Sequence, residues 1–380
     1  MKVSLSRSIL RFVICFGGAA ALGVGYYSVR RRSFGRENGA VREHVGWNAP
    51  ELIEQNLAAD SAAFASYERI QPSASQPPWA LFHGFLGHIG NYEIIKNGSA
   101  YSAEEWLLRE SSWERAYGRR EIMVQREYGL SFAHAPSPAM VRQYEDHYCQ
   151  FLYMLSETGM DPAHVILHVP PAGRSSLLSS MVADEQRFCH GLLDVSWALP
   201  VFIRWGHPTW KNRFGEDFDL DRLLRQHLDR EDRCVACFGT HWRMGLAIAV
   251  REGGAEISGE TMRRARGRLR EAIQEAKASQ DTASGQFRLE WGVFPKRPAN
   301  AGNLPALPTD DGALISHQGH MLEWLMVALS DQELASEKWP RQAAHSLLEK
   351  LKNLPADMNY GGYSHAVHAL RLYRKRMENR

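Results

Sequence analysis

The chain has 380 residues, with 45 Lys and Arg against 43 Asp and Glu. The resulting formal charge of +2 excludes a general electrostatic affinity for nucleic acid. Hydrophobic residues at 44% and charged residues at 23% exclude a disordered or collagen-like chain. Five cysteines, an odd number, exclude a disulfide scaffold. Eleven Trp, thirteen Tyr and fifteen Phe suit a large helical core or an aromatic-lined ligand cavity.

Residues 12–27 (FVICFGGAAALGVGYY) form a charge-free apolar run, preceded by Lys2, Arg7 and Arg11 and followed by Arg30, Arg31, Arg32 and Arg36. The run is a little short of the ~20 residues of a bilayer span, and Ser28 and Val29 extend it. Arginines just downstream disfavour cleavage of a signal. The reading is therefore an uncleaved anchor, a single N-terminal membrane span with the main domain outside the cytoplasm. The chain divides into residues 1–36 (anchor with basic flanks), 37–78 (linker and leading helix) and 79–380 (one domain).

Beyond the anchor, breaks fall at residues 72–78 (PSASQPP), 134–138 (HAPSP) and 169–174 (VPPAGR), and a long irregular stretch runs over 281–308. Between the breaks the periodicity is helical. Tyr144, Tyr148, Phe151, Leu152 and Leu155 share one helix face. Ser102 with Glu105, and Ser330 with Glu333, are capping-box pairs, and Pro340 suits a first helical turn. Residues 192–203, 244–250 and 321–329 are apolar nearly all round and predict buried helices. Residues 260–277 instead carry one apolar stripe, Met262, Ala265, Leu269, Ile273 and Ala276, opposite a row of arginines. Buried helices alternating with covering ones predict an all-α fold, an α/α toroid of two concentric rings.

Gly239-Thr240-His241, Gly319-His320 and Gly362-Tyr363-Ser364-His365 each place a glycine just before a histidine at an expected helix start. This weak repeat predicts that the histidines converge on one rim. ACFGTHWRMGLAIAV and SHQGHMLEWLMVALS, with WALFHGFLGHIG and LLDVSWALPVF, resemble an uncharacterised bacterial family of membrane-anchored α/α-toroid proteins, over about Trp79 to Leu329. The resemblance implies the toroid fold, shared with terpenoid cyclases and protein prenyltransferases. Residues 280–287 (QDTASGQF) are similar to one Q-x(2-5)-G-x-W repeat with Phe287 in place of Trp. Neither acidic cyclase motif, D-x-D-D or D-D-x-x-D, is present, so no cyclase activity is implied.

His241, His320 and Glu323 are the candidate catalytic residues, since an imidazole beside a carboxylate can move protons near neutral pH. The bland alternative is that they cap helix ends and fill core. His83, Asp194, Trp197, Trp242, His317 and Trp324 are candidates for lining a ligand cavity. Cys234, Cys237 and His241 stand at i, i+3 and i+7, spacing that could serve Zn²⁺. The reading of both cysteines as small buried residues takes precedence over Zn at Cys237 and His241. Asp217, Asp219 and Asp221 imitate a calcium loop, but Arg222 and Leu228 occupy the positions that need Gly and Glu, leaving a helix cap. The arginines from Arg263 to Arg270 read as a solvated face. The expected function is a membrane-anchored module that binds an unknown small molecule or protein at the bacterial envelope, with no nucleic acid. The alternative is an enzyme acting on a carbohydrate or isoprenoid-type substrate through the His/Glu cluster.

Overall fold

Helices buried on every side alternate along this chain with helices that bury one face, and that difference sorts them into two sets. The computed structural model describes residues 73–88, 92–109, 122–135, 144–169, 174–230, 237–289, 310–352 and 360–378. All of them belong to one compact unit, Gln55–Arg380. In chain order the elements are α1 (Pro78–Gly87), β1 (Glu93–Lys96), β2 (Ser99–Ser102), α2 (Ala103–Leu107), β3 (Met123–Arg126), β4 (Gly129–Phe132) and α3 (Gln150–Ser156). Then follow β5 (Ile166–Val169), β6 (Arg174–Leu177), α4 (Leu178–Phe188), α5 (Ala198–Trp205), β7 (Thr209–Lys211), β8 (Asp217–Asp219) and α6 (Leu220–Leu228). The last are α7 (Thr240–Glu252), α8 (Gly259–Ser279), α9 (Asp311–Ala328), α10 (Asp331–Ser336), α11 (Trp339–Leu351) and α12 (Tyr360–Glu378).

The all-α expectation is corrected by four two-stranded antiparallel sheets, β1–β2, β3–β4, β5–β6 and β7–β8. Their turns explain why helical periodicity missed them. Asn97 and Gly98, with φ of 51° and 78°, form the two-residue link between β1 and β2, in register Lys96 to Ser99. Asn-Gly is the dipeptide that tolerates this left-handed pair and matches the twist of a hairpin. Strands of three or four residues carry too little alternation to stand out. The expected anchor at residues 12–27 lies outside the described residues. Among the described residues no helix is long and apolar enough to cross a membrane.

The fully buried helices pack in succession, α1 on α3, α3 on α5, α5 on α7, α7 on α9 and α9 on α12, and α12 returns to α1. Their burial is nearly complete: nine residues of α1, all seven of α3 and ten of α7 are buried. Phe82 of α1 stacks on Phe151 of α3 at 3.9 Å between ring centroids, sealing that contact with apolar area. The one-faced helices lie against this set, with α4 and α6 on α5, α8 on α7, and α11 on α9. Helix α8 buries the expected stripe, including Met262, Ala265, Leu269, Ile273 and Ala276. Of its arginines, Arg264 meets Asp229 at 2.6 Å, and Arg268, at the flank of the packed face over Trp242, meets Glu271 at 3.0 Å.

Local signals fare unevenly. Ser330 and Glu333 form the full capping box, and Pro340 sits in the first turn of α11. Asp219 caps α6 by accepting from the Arg222 N–H at 2.6 Å. The helix expected to include Tyr144 and Tyr148 is shorter, because Cys149 adopts φ 62° and α3 begins only at Gln150.

Candidate metal centre

The turn that enters α7 is built around two left-handed residues, Cys237 (φ 54°) and Gly239 (φ 77°). Cys237–Gly239 is a 3₁₀ turn, so Cys237 and His241 do not share a face of one α-helix, as their spacing predicts. The turn is tied from inside. The Thr240 hydroxyl donates to the Cys237 carbonyl at 2.8 Å, and Arg243 Nη1 donates to the Gly239 carbonyl at 3.0 Å. Arg243, fully buried, also meets Glu275 of α8 at 3.6 Å.

This geometry presents Cys237 and His241 to His320 of α9. One ligand atom from each of the three lies within 4.8 Å of the others, a group that could hold a metal ion. Zinc, with bonds of about 2.3 Å to sulfur and 2.0–2.1 Å to nitrogen, spaces tetrahedral ligand atoms at about 3.3–3.6 Å. The three therefore need close by no more than about 1.5 Å. His320 Nδ1–H donates to the Ser316 carbonyl at 2.6 Å, which leaves the Nε2 lone pair for a ligand. Burial, then the neighbouring imidazoles, holds His241 well below its usual range. Burial, then His365, takes His320 down to about 3. Both rings are thus neutral, the form that binds metal.

Cys237 is solvent-exposed as a residue, although burial among protein atoms pushes its thiol up to about 12. A cation that arrives beside such a thiol draws off its proton. This exposure also overturns the reading of Cys237 as a small buried core residue. Cys234 lies outside the described residues.

Glu323, 2% exposed, does not pair with His320 despite the i, i+3 spacing. It accepts instead from two imidazoles of α12, His365 Nδ1 at 2.8 Å and His368 Nδ1 at 2.6 Å. His368 Nε2 lies 3.7 Å from Glu157, which meets Arg204 at 2.6 Å, and Arg204 in turn binds Glu252 at 2.8 Å. The His365 ring stands 3.8 Å from that of His320 and 5.5 Å from that of His241.

Of the expected cavity residues, His83 and Trp197 join this cluster. The His83 ring is 5.2 Å from that of His365, with its Nδ1–H on the Trp79 carbonyl, and Trp197 packs on His241 at 4.0 Å. The other four do not join it. Asp194 accepts from the Ser196 N–H and hydroxyl at 3.0 and 2.6 Å, a local turn. Trp242 turns to α6, donating to the His227 carbonyl at 2.8 Å. His317 donates to the Arg288 carbonyl at 3.1 Å, and Trp324 is buried in the core. The convergence of His241, His320 and His365 is as the glycine–histidine repeat predicts, but His320 lies in the middle of α9, not at the helix start expected for it. His368 and Glu157 carried no signal singled out in the sequence, although His365 and His368 at i, i+3 share a helix face.

A second buried acidic group stands apart from this cluster. Glu185 of α4 is 1% exposed, and burial, against a weaker opposing hydrogen bond from Ser131, lifts its carboxyl from 4.5 to about 8. An acid raised in the folded state holds its proton more tightly there than when unfolded. Stability should therefore fall as pH rises from about 4.5 to about 8 and level off above. Glu185→Gln should reduce that slope, the rest coming from Glu145, likewise buried and raised, and should stabilise the protein above pH 8 by a few kcal/mol, on the order of the shift itself. Urea titrations of both proteins at pH 5 and pH 9 check it; equal differences at the two pH values would contradict the assignment.

Comparison with family models, with curated proteins and with solved structures finds no match for this chain. The family resemblance accordingly rests on the sequence motifs alone.

Proposed function

We propose that the protein is a zinc enzyme whose ion is held by Cys237, His241 and His320 and meets its substrate from the Cys237 side. The observation that carries this reading is the convergence of the three ligand atoms within 4.8 Å, two of them on buried imidazoles and the third on an exposed cysteine. One thiolate and two imidazoles are a donor set that suits Zn²⁺. Buried imidazoles give a rigid inner wall, whereas the exposed third ligand gives access. An ion so placed acts as a Lewis acid on a carbonyl or phosphoryl oxygen, or lowers the pKa of a bound water. Metal-assisted hydrolysis is the reaction class this supports. It replaces the expected proton transfer by His241, His320 and Glu323, because two of those side chains become ligands and the third faces α12.

Elemental analysis of the full chain, purified without added metal and dialysed, should find about one zinc per chain. His320→Ala and Cys237→Ala should each cut retention at least tenfold. A panel of chromogenic esters, amides, phosphoesters and glycosides should show an activity lost on chelation and restored by Zn²⁺. A folded wild-type protein that takes up no zinc from a micromolar solution would overturn the reading.

A further inference from the structure

The environment of His365 differs from that of an ordinary buried histidine. Its side chain is 1% exposed, its Nδ1–H is committed to the Glu323 carboxylate at 2.8 Å, and its Nε2 is buried without a hydrogen-bond partner. A buried acceptor left in this state loses its hydration with nothing in return. A ring nitrogen held on a carboxylate is the arrangement that orients metal-bound imidazoles, although His365 lies outside the three residues whose ligand atoms stand within 4.8 Å of one another.

Ring spacing provides an independent check. A zinc–nitrogen bond of about 2.0–2.1 Å, plus about 1.1 Å from nitrogen to ring centre, puts each centroid about 3.2 Å from the ion. Tetrahedral angles then separate any two centroids by about 5.2 Å. His241 and His320 stand at 4.9 Å, and His241 and His365 at 5.5 Å. His320 and His365 are closer, at 3.8 Å, and must part by about 1.4 Å for an ion to enter between them. The ring of His83 packs on those of Trp79 and His365, with its Nδ1–H on the Trp79 carbonyl.

We propose that His365 is the fourth ligand of the centre, completing a Cys237, His241, His320 and His365 sphere, with Glu323 as its positioning carboxylate. This rests on the zinc reading above and deepens it. The resting ion is closed by a protein ligand, so a substrate atom binds by displacing His365 or by adding as a fifth ligand. The orphaned Nε2 of His365 then gains the ion, and its Nδ1–H keeps its carboxylate. Glu323 shares that carboxylate with His368, so the helix that supplies the fourth ligand is held at two points one turn apart. Structural zinc sites are four-coordinate and closed, while catalytic ones keep a position open. A fourth ligand from a separate helix would let one site switch between the two states.

X-ray absorption spectroscopy on the zinc-loaded full chain tests this without any substitution, because imidazole multiple scattering counts the histidines bound. One sulfur and three imidazoles are expected. The same measurement on His365→Ala should show two imidazoles and an added light-atom ligand, with zinc affinity reduced at least tenfold. Zinc bound by one sulfur and only two imidazoles in the wild type would overturn the fourth-ligand assignment and leave the zinc reading standing. Failure of the wild type to bind zinc at all would overturn both. If His365→Ala does not fold, the wild-type count decides alone.

Discussion

Glu323→Ala is expected to destabilise the metal-free protein by about 3–5 kcal/mol at neutral pH, the cost of breaking a buried, hydrogen-bonded polar group by removing one side. Burial alone would raise this carboxyl. The electrostatic attraction and hydrogen bond it shares with His365, followed by those with His368, outweigh burial and hold it well below its ordinary value of 4.5. An acid depressed in the folded state contributes stability that is fully present above its unfolded pKa. That contribution is lost as pH falls through the folded one. The difference between wild type and Glu323→Ala should therefore be largest at neutral pH and should shrink at strongly acidic pH. Removing the carboxylate also leaves two buried N–H donors on α12 unanswered, which is why truncation should cost more than one hydrogen bond. Glu323→Gln, which keeps one good acceptor and loses the charge, should fall between the two. Urea midpoints at pH 7 and at pH 3 measure the effect. A loss below about 1 kcal/mol at pH 7 would mean that the carboxylate does not hold α9 to α12.

How far the sequence foretold this arrangement depends on the range of the interaction. Caps and amphipathic stripes are local, and they were legible: the Ser330–Glu333 box, the Asp219 cap and the buried stripe of α8 all follow from spacings of three and four residues. The hairpins were legible in principle at Asn97-Gly98, a dipeptide with a mechanism, but a search for helical period passes over strands of four residues. The site was half legible. Three glycine–histidine pairs marked the converging rings, yet the partner of Glu323 was misassigned. The nearest histidine in sequence, His320, spends its Nδ1–H on the turn below. The carboxylate reaches α12 instead, 42 and 45 residues further along the chain. Nothing in one-dimensional spacing encodes that choice, because it is made by how closely two helices approach.

That approach sets the second large expectation, that Gly319→Ala both destabilises the fold and loosens the centre. A Cβ at Gly319 would stand 2.6 Å from the Ala366 nitrogen and 2.8 Å from its Cα, backbone atoms that cannot rotate aside. The contact is reciprocal, since a Cβ at Gly362 of α12 would meet the Ser316 Cβ of α9 at 2.7 Å. These two glycines, with Ser316 and Ala366, let the backbones of α9 and α12 close until the rings of His320 and His365 stand 3.8 Å apart. Ser316 also supplies the carbonyl that orients His320, so the close contact and the ligand geometry share a residue. Alanine in a helix interior gains about 1 kcal/mol over glycine. Overpacking against fixed backbone costs about 1–3 kcal/mol and displaces the helix, so the net effect should be a loss. Gly267 of α8 provides the control: a Cβ there meets nothing within 4 Å, and Gly267→Ala should stabilise by about 0.5–1 kcal/mol. Thermal unfolding with and without Zn²⁺ distinguishes the two. Gly319→Ala should lower the midpoint and, although it removes no ligand, weaken zinc binding by an order of magnitude or more. A Gly319→Ala protein as stable as Gly267→Ala and equal to the wild type in zinc affinity would mean that α9 and α12 approach less closely than the rings imply.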